Sequence, residues 1–169
     1  LNQIFMVILI ALGNSGAILI GKKLGENLIE EAKSYGVAIE ILCIMLGFGL
    51  GALMLVLSFV VPGLYKLSPE GARLAQLVII TYGVLSPVKT FNGSMIIGTL
   101  RSGGDTLYAM VAELVPLWCV GLPLAMLGVY LELSPIFVVI LFQMEEIVKF
   151  VMLVPRLFMF TILSICGLS

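Results

Sequence analysis

The sequence predicts an all-α integral membrane protein, a five-helix transmembrane bundle, and three observations carry that prediction. Five apolar stretches fill most of the 169 residues. The chain is 61% hydrophobic with only 11% charged residues, and its mean hydropathy is +1.21. A soluble domain of that composition could not cover its own surface with polar groups. Finally, charged residues stand inside the last three stretches, and ionisable groups in a membrane span are by default functional or paired.

The predicted spans are residues 1–20, 37–61, 74–100, 107–131 and 136–155, each near the ~20 residues a tilted membrane helix needs. Together they make one bundle over residues 1–157, followed by a short apolar tail, 158–169, that either lies at the interface or is an unstructured end. In the second span Gly47-x-x-x-Gly51 and Gly49 make a small-residue face, which lets helix backbones approach closely. The third span carries Pro87, and the fourth Pro116 and Pro123. Prolines kink membrane helices and are tolerated where neighbours satisfy the freed carbonyls.

Four connections separate the spans. Residues 21–36 are polar, bear both charges and read as a long loop with an amphipathic helical part. In 62–73, Ser68-Pro69-Glu70 reads as a helix start with proline in the first turn. Residues 101–106, Arg-Ser-Gly-Gly-Asp-Thr, read as a tight turn with Asp105 as N-cap of the next helix. Residues 132–135 are short, and Ser134-Pro135 opens the last helix. Lys22, Lys23, Lys33, Arg101 and Arg156 fall on one side of an alternating topology, against Lys66 and Arg73 on the other. The positive-inside rule makes the first side cytoplasmic and the protein a multi-pass protein of the cell membrane.

Composition also excludes. Histidine is absent, which removes zinc hydrolases, Ser-His-Asp triads and histidine-ligated haem. No phosphate-cradling loop gives an ATPase site, and no basic–aromatic interleaving points to nucleic acid. Cys43, Cys119 and Cys166 are far apart and read as packing residues, with no metal set and no disulfide. The Glu145-Glu146 pair resembles that of intramembrane glutamate proteases, but such chemistry needs histidine partners. The expectation is therefore a protein without catalytic residues. Leu1 already lies inside an apolar run with no charged segment before it, so the chain reads as a fragment.

Depth follows from ~1.5 Å of rise per residue. Counting back from Arg101, Lys89 lies roughly 18 Å into the membrane; counting back from Arg156, Glu145 and Glu146 lie roughly 15 Å in. Glu113 and Lys149 come out about 10–12 Å from the same side. An isolated charge at the bilayer centre costs about 2.5–3.5 kcal/mol on insertion scales, so these groups must pair inside the bundle or line a wet cavity. Glu145 and Lys149 stand at i,i+4, the favourable order for a same-helix pair, with Glu146 also close to Lys149. Lys89 is expected to find Glu113, or Glu145, across a helix contact. Thr90, Asn92 and Ser94 beside Lys89 either line a polar pocket or, for the hydroxyls, bond their own backbone. Glu40, near the start of its span, is expected to reach the headgroups and to stand outside this group. Two readings stay open: a fixed salt-bridge cluster that holds the bundle in register, or a cation or proton site whose carboxylates change partner during a cycle.

Three passages together resemble the multidrug and toxic compound extrusion (MATE) transporters. They are Ile20-Gly-Lys-Lys-Leu-Gly25 with Glu30-Glu-Ala-Lys33, then Gly98-Thr-Leu-Arg-Ser-Gly-Gly-Asp-Thr106, then Trp118-Cys-Val-Gly-Leu-Pro-Leu124. Arg101, Gly103, Gly104 and Asp105 form the loop part of that pattern. The Trp118 passage and the Glu145-Glu146-x-x-Lys149 ending are similar to the C-terminal half of such proteins. The resemblance implies a twelve-helix, two-bundle transporter that exports organic cations or drug-like substrates by alternating access, in exchange for Na+ or H+ and with no other cofactor. The five spans would then be the eighth to twelfth, partnered by the missing N-terminal bundle and the lipid bilayer. One departure matters. Many relatives place an acid eleven positions before the loop arginine, where this chain has Thr90 preceded by Lys89. Glu113 or Glu145 would take over its role, or Lys89 itself mimics a bound cation. Two alternatives stand beside antiport: a lipid-linked saccharide flippase of the same superfamily, and a non-transporting membrane scaffold subunit.

Overall fold

The computed structural model describes residues 2–64 and 68–165; Lys66 and Cys166 lie outside them. Five helices follow one another: α1 Asn2–Gly25, α2 Ile29–Leu64, α3 Pro69–Leu100, α4 Thr106–Tyr130 and α5 Pro135–Ile165. Among the described residues three helical segments, Ile29–Gly63, Pro69–Leu100 and Thr106–Tyr130, are long and apolar enough to cross a membrane. The protein is an all-α, multi-pass membrane bundle.

The boundaries differ from the sequence expectation in one informative place. Residues 21–36 form no long loop. α1 runs on to Gly25 and α2 begins at Ile29, because Glu30 and Glu31 in the first turn of α2 favour a helix start. Cross-turn pairs from Lys23 to Glu26 (3.3 Å) and Glu31 (2.8 Å) tie the two helices. At 36 residues, α2 is about 54 Å long, well beyond the ~30 Å of hydrocarbon. Its polar first turns therefore stand outside the membrane. At the other end, α5 continues unbroken to Ile165, which takes in the first part of the segment 158–169.

Three of the four connections are closed in the same way. In each, the residue after the helix turns left-handed: Asn27 at φ 58°, Gly104 at φ 85° and Glu132 at φ 52°. The paired backbone bonds are Leu28 N–H to Lys23 C=O with Asn27 to Leu24, Asp105 to Leu100 with Gly104 to Arg101, and Leu133 to Gly128 with Glu132 to Val129. This is the Schellman arrangement, which satisfies the last helix carbonyls within the helix end itself. The start of α3 is as expected, with the Ser68 hydroxyl accepting from Gly71 N–H at 3.2 Å and Pro69 in the first turn. Asp105 sits at the N-cap of α4, but its side chain makes no capping bond.

α3 lies at the centre and inverts the usual pattern, with its polar residues buried among its neighbours. Against α2 the packing is set by glycine. A Cβ on Gly51 would lie 2.5 Å from the Gly83 carbonyl oxygen, and one on Gly47 would lie 2.7 Å from Pro87 Cα. Such approach lets the Ser86 hydroxyl donate to the Gly47 carbonyl. Gly49 faces open space, so the close-packed small face is Gly47 and Gly51, spent on a contact inside the chain. Against α4 and α5, Phe91, Met95, Leu100, Ala109, Ala112 and Leu153 form the apolar core, with Phe91 and Phe150 edge to face at 5.1 Å.

Both α3 and α4 contain a wide turn with i→i+5 bonding: Met95–Leu100 in α3 and Leu117–Gly121 in α4. Such turns insert a residue into a helix and re-aim the side chains beyond it. In α4 the turn sits between Pro116 and Pro123, the prolines expected to disturb it. In α3 it sits beyond Pro87, where no proline marks it.

Candidate functional site

The middle of α3 faces the middle of α5, and the buried charges meet there. Lys89 Nζ lies 3.4 Å from Gln143 Oε1 and 3.8 Å from Glu146 Oε1. It also stands over the Tyr82 ring, 4.5 Å from the centroid, a cation–π contact that favours a desolvated ammonium. Asn92 Nδ2 donates to both the backbone oxygen (2.8 Å) and Oε2 (2.9 Å) of Glu146. One turn away, Lys149 Nζ pairs with Glu145 Oε1 at 3.5 Å along α5. The four charged side chains are each at most 13% exposed, so two ammonium–carboxylate pairs lie side by side, largely out of solvent.

Beside them opens a cavity of about 160 Å³. Its polar lining is Lys89, Asn92, Glu113, Glu146 and Lys149, and isoleucines of α1 and α3 complete the wall. Three buried polar atoms near this network, Asn92 Oδ1, Gln143 Nε2 and Glu145 Oε2, lack a hydrogen-bond partner. Each such atom costs roughly 1–3 kcal/mol if left unpaired. Of the three residues, Asn92 lines the cavity.

Several expectations change. Lys89 does not meet Glu113. Glu113 pairs instead with Arg101, 3.7 Å away, both about half exposed, and only borders the cavity. The depths explain it, since Glu113 was placed some 6–8 Å nearer the membrane edge than Lys89. Nor does Lys89 ion-pair with Glu145; its carboxylate partner is Glu146. Thr90 and Ser94 leave the cavity altogether. Thr90 Oγ1 bonds the Ser86 and Pro87 carbonyls of its own helix, and Ser94 turns toward α2.

Glu40 is the largest correction. It does not reach the headgroups but is 1% exposed, hydrogen-bonded to Ser94 at 2.5 Å and Thr99 at 2.7 Å. Its carboxyl group turns inward because the Ser94 and Thr99 hydroxyls of α3 receive it. Gln143 and Tyr82 were also missed; a lone amide in an apolar helix was the available signal for Gln143.

The sequence passages singled out above have structural work. Gly121 lets α4 close on Glu145: a Cβ there would lie 3.0 Å from Glu145 Oε2. Trp118 of the same passage points outward, 65% exposed. The loop Arg101–Asp105 holds one end of the bundle: Gly104 supplies the left-handed turn, Arg101 holds Glu113, and Asp105 meets Arg156 at 3.3 Å. Arg156 also covers the Tyr108 ring (4.3 Å), whose hydroxyl donates to the Met152 carbonyl at 2.6 Å. Cys43 is buried and Cys119 exposed, and both are free.

The MatE family model matches residues 1–127. The chain is 31% identical over 149 residues to the "Uncharacterized transporter YisQ" of Bacillus subtilis (strain 168), covering 86% of this chain and 32% of that protein. It is 27% identical over 118 residues to the "Probable multidrug resistance protein NorM" of the same organism, covering 69% of this chain and 26% of that one. The chain thus spans about a third and a quarter of these relatives' lengths. No solved structure matches. The chain belongs to the MatE family of membrane transporters.

Proposed function

We propose that the chain supplies one wall of the transport pathway in a cation-coupled antiporter that exports organic cations or drug-like molecules by alternating access. The observation that carries this reading is the Lys89–Glu146 pair beside the cavity, with Lys149–Glu145 one turn on. A proton or Na+ arriving at Glu146 competes with Lys89 and Asn92 for its carboxylate. The freed ammonium then repels a cationic substrate, and loss of the ion restores the pair, so ion and substrate exclude one another. Both lysines of the lining face carboxylates, which fits a cation pathway better than the basic surface an anionic lipid-linked saccharide needs. A two-bundle transporter closes its cavity between its halves, and the partner wall would come from a second bundle.

The test is export of a fluorescent organic cation by the native full-length protein in membrane vesicles, with Na+ and H+ gradients imposed separately. Export driven by one gradient is the expected result and names the ion. Correctly inserted protein that exports under neither gradient overturns the reading.

A further inference from the structure

Glu40 sits in a buried contact between α2 and the wide turn of α3. Its side chain is 1% exposed, and its partners Ser94 and Thr99 are buried with it. Neither the cavity of the charged site nor the groove between α2 and α3 reaches it. Among the described residues no lysine or arginine forms an ion pair with Glu40. From α3 it meets the Ser94 and Thr99 hydroxyls. The nearby ionisable group is the Cys43 thiol on α2 itself, which faces both Ser94 and Glu40. Ionisable side chains of α1 and α5 are not among its partners.

Burial without a countercharge favours the neutral form of this carboxyl group, and the contacts at Ser94 accommodate it. Ser94 Oγ is within bonding distance of two oxygens: Phe91 C=O at 3.0 Å and Glu40 Oε2 at 2.5 Å. A hydroxyl has one proton to give, and a backbone carbonyl can only accept. If Ser94 donates to Phe91, the proton in the shorter contact must come from Glu40. With Glu40 protonated the chain closes: Thr99 donates to Oε1, the carboxylic O–H donates to Ser94, and Ser94 donates to Phe91. With Glu40 ionised, both hydroxyls donate to a buried charge that has no countercharge, while the Phe91 carbonyl keeps the Met95 N–H.

The wide turn is what assembles the site. Ser94 and Thr99 are five residues apart, which in a regular α-helix separates them by about 140° around the axis. The i→i+5 turn over Met95–Leu100 brings them to one face. We propose that Glu40 is a proton-binding site distinct from the cavity, and that its proton fastens α2 to the wide turn of α3. Losing the proton turns Ser94 from Phe91 and leaves an anion facing the turn, so the contact loosens. The ligand is a proton and not a metal cation, because hydroxyls 2.5 Å and 2.7 Å from the two carboxyl oxygens leave no space for an ion between them.

The proposal does not rest on the transport reading, and its test reads no transport. Infrared spectra would be recorded on the native full-length protein in lipid nanodiscs, for wild type, Glu40→Gln, Thr99→Val and Glu146→Gln. Glutamine reproduces the protonated pattern, its amide donating to Ser94 and accepting from Thr99. The wild type at neutral pH should show a carboxylic-acid C=O band that Glu40→Gln lacks and Glu146→Gln retains. Thr99→Val should shift that band. Raising the pH should remove it and lower the melting temperature of the wild type, while Glu40→Gln, which takes up no proton on folding, melts at or above the wild type at neutral pH and loses this part of the alkaline drop. A Glu40→Gln difference spectrum with carboxylate bands alone overturns the proposal. So does an acid band that Na+ removes at constant pH when it replaces N-methylglucamine.

Discussion

The three left-handed residues make a graded test of single-residue strain. A non-glycine residue in that conformation is disfavoured by roughly 1–2 kcal/mol. Gly104 avoids this, Asn27 tolerates it, and Glu132 bears it in full. Gly104→Ala should therefore lower stability by about 1 kcal/mol, and Glu132→Gly should raise it by up to about 1 kcal/mol, both read from thermal melting in nanodiscs. At the charged site, Glu146→Gln keeps the hydrogen bond from Asn92 but gives Lys89 no countercharge. The expected outcome is at least a ~10-fold fall in ion-driven export, equal to about 1.4 kcal/mol of coupling, at normal expression. Glu113→Gln, whose carboxylate is half exposed on Arg101, should change export much less. A reversal of that order would move the coupling group to the cavity rim.

At the scale of elements, the α2–α3 pair is the stiffest part of the bundle because backbones touch. Gly51→Ala must push its methyl into the Gly83 carbonyl, 2.5 Å away, and rigid backbone cannot yield as a side-chain end can. Overpacking of this kind costs typically 1–3 kcal/mol. Gly49→Ala, two residues away and facing open space, should be neutral. Equal melting temperatures for the two variants would contradict the packing described. The wide turn of α3 has the same logic in register. Deleting Ile97 would restore ordinary α-helical winding and leave Ser94 and Thr99 four residues apart, about 40° around the axis, so Thr99 should stay on the face that meets Glu40.

For the whole molecule, Lys22, Lys23, Lys33, Arg101 and Arg156 gather at one end. Thr99 packs on Gly36, and Gly36 on Ile20, so the α1–α2 and α3–α4 turns lie together, with Arg156 held there by Asp105. The opposite end carries the α4–α5 turn. Single cysteines at Ser102 and at Leu133, in a variant without the native cysteines, should be labelled by a membrane-impermeant maleimide from opposite faces, Ser102 from the cytoplasm. Labelling of both from one face would break the topology. Many large apolar side chains, including Phe48, Phe59, Trp118 and Tyr130, remain exposed, as expected of surfaces that meet lipid or a partner bundle.

Helix existence, the Ser68-Pro69 helix start and family were legible in the sequence because they depend on local signals: apolar length, Pro and Gly placement, and short motifs read in order. The i,i+4 pair Glu145–Lys149 was legible for the same reason, since helical spacing alone brings it together. Partners across helices were not. Whether Lys89 meets Glu113 or Glu146 depends on helix rotation and depth, which the packing of α3, α4 and α5 sets. Glu40 shows this most directly: its place near the start of a span sent it to the headgroups, and a turn unmarked by proline hid the two hydroxyls that receive it. Sequence determined what had to be buried; tertiary structure alone decided against what, because pairing energy depends on distances that no local pattern encodes.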